Sequence, residues 1–381
     1  MSTLTVKRDS NLKDIEEMLY KIERAETDIA LRLPNSLKYA GSLGIEATVI
    51  QLISTWLRKH EGRAVYHSYI KEGDSPSEYS ELCSKMYGIQ ILSLADKLMT
   101  EKLLKIKRRV ALQQAVQRID DIRSLNFSNA FKGPYLGFPL IKAPGNTSEL
   151  NSPFYNKGAV VDRNRFLRIT EDAIRSVLKK NSYDKAINRD VLSNITSIIY
   201  ELFTNTDKHA RRDELGNILP TNFRCVLFSS ISLTEGRLDD WVSSWTDVMF
   251  AANWKERLKV KPQRVLEISV IDSGPGFARR WKGVGKEALT IEDQKEAVLS
   301  CFKKYRTTDI NSAAGSGLSN VLWDLRKLKG WFRLRTGNLV VEKWFHGEAP
   351  TITTDVTKED LWEKKAFAEG AAITFLIPLV E

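Results

Sequence analysis

The sequence is poor in the residues that mark oxidised, membrane-spanning or metal-clustered proteins. Its three cysteines (Cys83, Cys225, Cys301) are scattered and odd in number, which argues against a disulfide framework and predicts a reducing, cytoplasmic setting. The four histidines are dispersed and share no ligand spacing with the cysteines, so no zinc centre is expected. No apolar run approaches the roughly 20 residues of a membrane span. The opening MSTLTVKRDSNLKD lacks the apolar core of a signal peptide, and no membrane association is expected. Neither the phosphate loop GxxxxGK[ST] nor the dinucleotide motif GxGxxG occurs.

What is present can build a core. The chain has 381 residues, 42% of them hydrophobic, which favours two domains. Lys and Arg number 58 against 48 Asp and Glu, a net charge of +10 spread over a mixed surface. Such a surface permits contact with nucleic acid without requiring it, and part of the excess suits phosphate. No internal repeat or low-complexity tract is evident.

The N-terminal third reads as a small α/β domain over 1–130. A charged helix runs to about residue 26 with Leu12, Ile15, Met18, Leu19 and Ile22 as its apolar stripe. Strand-like stretches at 28–33 and 64–70 flank a helix at 44–59, and a further helix is expected over 77–87. This β-α-β-α order resembles that of STAS domains. A long helix is expected over 99–123, where Lys102, Lys105, Lys107, Arg108 and Arg109 form a basic run best read as a solvated face. The stretch 131–159 is rich in Pro, Gly, Asn and Ser and reads as a linker that packs on its neighbours. The remainder, 160–381, is the second domain.

The chemistry concentrates in that second domain. In DVLSNITSIIYELFTNTDKHA (190–210), Val191, Ile195, Ile198 and Leu202 make one helical stripe. Glu201, Asn205 and Lys208 share a different face. A carboxylate, an amide oxygen and an ammonium there suit a nucleotide phosphate with a hydrated divalent metal; a plain amphipathic helix is the competing reading. A tryptophan-rich helix is expected over 241–259. The strand RVLEISVID (264–272) ends in Asp272 and runs into Ser273-Gly274-Pro275-Gly276-Phe277. An Asp so placed can accept a hydrogen bond from an exocyclic amine, and glycines let backbone approach a flat base; an ordinary strand-exit turn would look the same. Gly315-Ser316-Gly317-Leu318 opens a helix whose N–H groups can meet phosphate oxygens.

An ExxxN helix, a strand ending in DxGxG, a variable segment and GxGL opening a helix resemble, in this order, the ATP-binding domain of the gyrase, Hsp-type chaperone, histidine kinase and mismatch-repair (GHKL) superfamily. ELFTNTDKHA looks like its asparagine box, VIDSGPGF and GSGLSNV like its glycine boxes, and Ile373, Phe375 and Ile377-Pro378 like its last strand. Gly370-Ala371 departs from the usual Gly-Thr there. The resemblance covers about 160–381 and implies an α+β protein: a histidine-kinase-like sandwich, a mixed sheet with helices on one face. It implies that Asn205 holds Mg2+, Glu201 is the base, Lys208 lies near a terminal phosphate, Asp272 reads adenine, and Gly274 and Gly276 shape its pocket. Gly315, Gly317 and Leu318 would support phosphates beneath a lid at 278–314, with Thr307 and Thr308 beside the nucleotide and His209 structural.

No histidine on a dimerising hairpin precedes this region, since His60 leads into a turn. The expectation is therefore a slow, Mg2+-dependent ATPase that serves as a nucleotide-operated switch for a protein partner, in bacterial regulation or defence. An anti-sigma-type Ser/Thr kinase or an atypical histidine kinase is the alternative, and a homodimer is left open.

Overall fold

The computed structural model describes residues 2–38, 44–131, 133–143, 152–178, 183, 185–233, 263–303, 317–345, 356–358 and 360–379. The helix expected over 241–259, together with Thr307, Thr308 and Gly315, lies outside the described residues.

Strands and helices alternate through the N-terminal third: β1 (Ser2–Thr5), α1 (Leu12–Arg24), β2 (Ile29–Arg32), α2 (Ile45–Lys59), β3 (Val65–His67), α3 (Met86–Leu94) and β4 (Lys97–Met99). The strands pair in parallel in the order β1-β2-β3-β4. Parallel neighbours need crossovers, and right-handed crossovers taken in sequence put successive helices on one face; α1 packs on α2, and α2 on α3. A reciprocal Asn11/Asp14 cap starts α1.

Two expectations fail in this region. The helix over 77–87 is replaced by 3-10 turns at Pro76–Tyr79 and Leu82–Ser84. Lys85 is extended, and the chain restarts at Met86, whose N–H donates to the buried Glu46 carboxylate at 3.0 Å. The helix over 99–123 is broken into β4, an exposed turn, α4 (Arg108–Ala111) and α5 (Gln113–Arg123). Arg108 causes the break: it donates to the carbonyls of Leu92, Ser93 and Ala95 at the end of α3, so it cannot stay on a solvated helix face.

The chain continues through α6 (Phe127–Ala130), β5 (Tyr135–Lys142), a hairpin of β6 (Tyr155–Asn156) and β7 (Ala159–Val160), α7 (Arg163–Val177) and α8 (Arg189–His209). Then come β8 (Asn222–Leu233), β9 (Gln263–Asp272), α9 (Gly276–Lys282), α10 (Ile291–Phe302), α11 (Gly317–Lys327), β10 (Trp331–Trp344) and β11 (Leu361–Leu379). The second sheet has the order β10-β11-β9-β8-β5. Its four neighbouring pairs are all antiparallel, which corrects the mixed sheet expected from the resemblance. The described residues thus form a mixed α/β protein with a four-stranded parallel sheet, a five-stranded antiparallel sheet and the small β6–β7 hairpin. The supposed linker supplies β5, an edge strand. Pro139 disguised it in the sequence, yet an edge strand tolerates a missing N–H.

The second sheet has two unlike faces. Phe138, Val226, Phe228, Ile268, Val270, Ile373 and Phe375 alternate onto the face where α7 and α8 pack. The opposite face carries Glu267, Ser269, Thr374, Arg333 and Arg335 and receives α1 and α2. Helix α2 is buried at every residue from Ile45 to Trp56 because it bridges the two sheets. Trp56 Nε1 donates to Ile29 O of β2 at 2.8 Å, and Gln51 Nε2 to Arg335 O of β10 at 3.0 Å.

The deepest ion pair of this interface joins α1 to β10. Arg335, 0% exposed, holds Glu16 through Nε at 2.9 Å and Nη2 at 3.1 Å. Burial alone would raise the Glu16 carboxyl, but Arg335, helped by Arg333 and Lys365, holds it below its ordinary value of 4.5. A depressed carboxyl stabilises the folded chain above its unfolded value and loses that contribution as pH falls. Glu16→Ala should cost about 3–5 kcal/mol in urea unfolding at pH 7, because Arg335 is left buried and unpaired. The gap to the parent protein should narrow as the melts are moved below about pH 4.5.

Candidate functional site

Helix α8 starts at the Asn188 cap, which accepts the Val191 N–H at 2.9 Å, and runs unbroken to His209. Leu192, Ile195, Ile198, Ile199, Leu202 and Phe203 are buried. Phe203 meets Phe154 and Phe166 at ring-centre distances of 5.0 and 5.8 Å. Further along, Asp207 accepts from Tyr155 Oη at 2.6 Å, and Arg224 Nη1 of β8 donates to the same hydroxyl at 3.0 Å. Asn222 Nδ2 closes the helix by donating to Ala210 O at 2.6 Å. The rotation of α8 is therefore fixed by a ring cluster and a buried polar clamp, and the edge bearing Glu201, Asn205 and Lys208 is turned outward.

That edge forms one wall of a cleft of about 170 Å3, and the residues singled out in the sequence converge on it. Glu201, Asn205, Lys208, Asp272, Gly276, Gly317 and Leu318 line it together. They come from α8, the end of β9, the start of α9 and the start of α11. Gly274 does not line the cleft. It packs beneath it, where a Cβ would lie 2.6 Å from Ala210 Cα, so the β9 turn can press against the end of α8 only as glycine. Thr308 and Gly315 lie outside the described residues. The span expected as a lid is helical in its described part, with α9 and α10 packed against β10.

The two ends of the cleft differ in chemistry. At the Ala210 end, Asp272 is buried among strands, and Oδ1 accepts the Gly274 N–H at 2.9 Å. Burial pushes its carboxyl up to about 6, more than the Gly274 N–H and the Arg224 guanidinium counteract. Val270 and Ile373 form the apolar floor here. About 13 Å away along α8 (nine residues at 1.5 Å each), Glu201 faces the first residue of α11. A Cβ on Gly317 would lie 2.7 Å from Glu201 Oε2. The start of α11, the positive end of a helix dipole, borders this end through Gly317 and Leu318. Arg163 Nη2, at the start of α7, donates to Glu201 Oε1 at 2.5 Å.

Asn205 and Glu201 offer one amide and one carboxylate oxygen. That donor set suits a cation completed by water and phosphate, and not an all-protein cage. Among the described residues no cluster of three His, Cys, Asp or Glu could hold a metal unaided. Phe277, Arg280 and Trp281 of α9 also line the cleft and were missed in the sequence. Their i, i+3, i+4 spacing was the available signal, hidden because the segment after Gly276 reads as lid and not as helix.

A larger groove of about 1050 Å3 runs between α1 and the β10–β11 edge. Several of its carboxylates are paired: Glu16 with Arg335, Glu342 with Arg333 at 3.0 Å, Glu363 with Lys365 at 2.5 Å. The smaller cleft is the one lined by the residues singled out in the sequence. Comparison with protein-family models, curated proteins and solved structures returned no match for this chain.

A carboxyl raised by burial makes ionisation costly to the fold. The contribution is small near pH 4 and complete above about pH 6, where Asp272 is charged in the folded chain. Asp272→Asn should therefore stabilise the protein by roughly 3 kcal/mol in denaturant melts at pH 8. The gain should shrink towards zero near pH 4.

Proposed function

We propose that the cleft binds ATP with Mg2+ in the manner of the GHKL superfamily, and that the chain is a slow ATPase acting as a nucleotide-operated switch. The observation that carries this reading is the convergence of Glu201, Asn205, Lys208, Asp272 and Gly317 on one cleft from three separate segments. The polarity of the cleft supports it further. A buried acceptor and apolar floor at the Ala210 end suit an aminated base, the α11 N-terminus at the Glu201 end suits phosphate, and Lys208 and Arg280 add positive charge to the same cleft.

In this reading the Asp272 carboxylate accepts the exocyclic amine of adenine, while Val270 and Ile373 contact the ring face. Lys208 neutralises phosphate charge, and the N-terminal N–H groups of α11 hold the phosphate chain. Asn205, with phosphate oxygens and water, would hold Mg2+, which when bound draws the phosphate oxygens together and offsets their charge. Glu201 orients a water and takes its proton. The cleft volume of about 170 Å3 is below the roughly 300–1,000 Å3 usual for small-molecule sites. A whole nucleotide therefore requires the Glu201–Gly317 contact to open, and this opening couples binding to a shape change.

Phosphotransfer to histidine is the less favoured use of ATP. His60 is 2% exposed, with Nδ1 3.2 Å from Asp28, and is inaccessible as an acceptor. A serine or threonine acceptor in a partner remains the alternative reading.

Incubation of the full chain with Mg2+ and γ-labelled ATP tests the proposal. Free phosphate should appear at a rate well below the ~10 s⁻¹ typical of enzymes, with no acid-labile label on the protein. Glu201→Gln should lower phosphate release at least tenfold while retaining ATP binding. Absence of ATP binding to the parent chain would contradict the reading; acid-stable label on a protein would favour the kinase alternative.

A further inference from the structure

Arg163 is the first residue of α7, directly after the Asp162 cap, whose Oδ1 accepts the N–H groups of Asn164 and Arg165 at 2.9 and 3.1 Å. The cap fixes the helix start and so fixes where the Arg163 side chain begins. Its guanidinium lies 5.0 Å from the Tyr200 ring centre and reaches Glu201 with one nitrogen. Among the described residues Glu201 is its only hydrogen-bond partner. The Arg163 side chain is 60% exposed, whereas that of Glu201 is 19% exposed.

Docking of α7 on α8 does not need this pair. Phe166 of α7 already meets Phe203 and Tyr200 of α8, and an exposed ion pair adds at most about 1 kcal/mol. The pair instead sits at the one end of the cleft where α11 begins and where Gly317 abuts the same carboxylate. Glu201 is held there by Arg163 at Oε1, while at Oε2 the space beside Gly317 is too small for a Cβ. A guanidinium carries five N–H donors in a rigid fork suited to phosphate oxygens, and most of this fork is uncommitted.

Resting on the ATP reading of the cleft, we propose that Arg163 is the residue that recognises the terminal phosphate and ties its arrival to the position of Glu201. The guanidinium shares its donors between the Glu201 carboxylate and the phosphate. It holds the carboxylate in place beside the cleft, and it gives a triphosphate a contact that a diphosphate does not reach. Arg163 is thus the residue that separates ATP from ADP.

The test compares affinities of the full chain for Mg2+-ADP and for a Mg2+-ATP analogue with a non-hydrolysable β,γ-imido bridge. Arg163→Ala should weaken the triphosphate analogue roughly tenfold and leave ADP within about twofold. Arg163→Lys should recover part of the loss. ADP affinity serves as the internal control for folding, since a merely structural role would move both ligands together. Equal changes for the two ligands, or no change in either, would overturn the proposal and leave the nucleotide reading intact. Failure of the parent chain to bind either ligand would overturn both.

Discussion

Helix α8 can present a polar edge to the cleft only because its other side is immobilised. Phe203 is caught among the rings of Phe154 and Phe166, and Asp207 is clamped by Tyr155 and the buried Arg224. Arg224 stands opposite Asp272 on the neighbouring strand, so the clamp that sets the helix also sits beside the carboxylate at the far end of the cleft. A small rotation of α8 would bury Lys208 or swing Glu201 away from Gly317. The antiparallel sheet is thus more than a floor: its β8–β9 register aligns the two acidic ends of the site.

The opposite face of the sheet links this arrangement to the N-terminal third. Thr55 of α2 accepts the Glu369 N–H at 2.9 Å, and the N–H of Gly44, just before α2, reaches Glu267 at 2.8 Å. Arg279 of α9, 15% exposed, bridges Glu369 at 2.8 Å and Glu214 at 2.6 Å. Helix α9, which carries Phe277, Arg280 and Trp281 to the cleft, is thereby tied through Glu369 to β11 and to α2, and removing one partner of such a buried pair would leave the other uncompensated.

The site was more legible in the sequence than the chain's division. Glu201, Asn205 and Lys208 follow helical period, and Asp272 ends a strand rich in β-branched and apolar residues; both signals are local. The β5 strand was not legible, because Gly137 and Pro139 speak for a turn when the edge position that tolerates them is unknown. The helix expected over 99–123 failed because capping of α3 by Arg108 is a contact between segments that no periodicity encodes. Arg163 was invisible for the same reason: its meaning depends on α7 lying beside α8. Helices α1 and α2 were read correctly as elements, but nothing local showed that they cover the second sheet.

The central claim is that a single nucleotide lies along α8 with its base at Asp272. Photolabelling of the full chain with 8-azido-ATP and Mg2+, followed by peptide mapping, tests this most directly. Label should fall on the peptide spanning 270–281 and should disappear when ATP is added in excess. Label confined to the groove along α1, or label that excess ATP does not displace, would contradict the account.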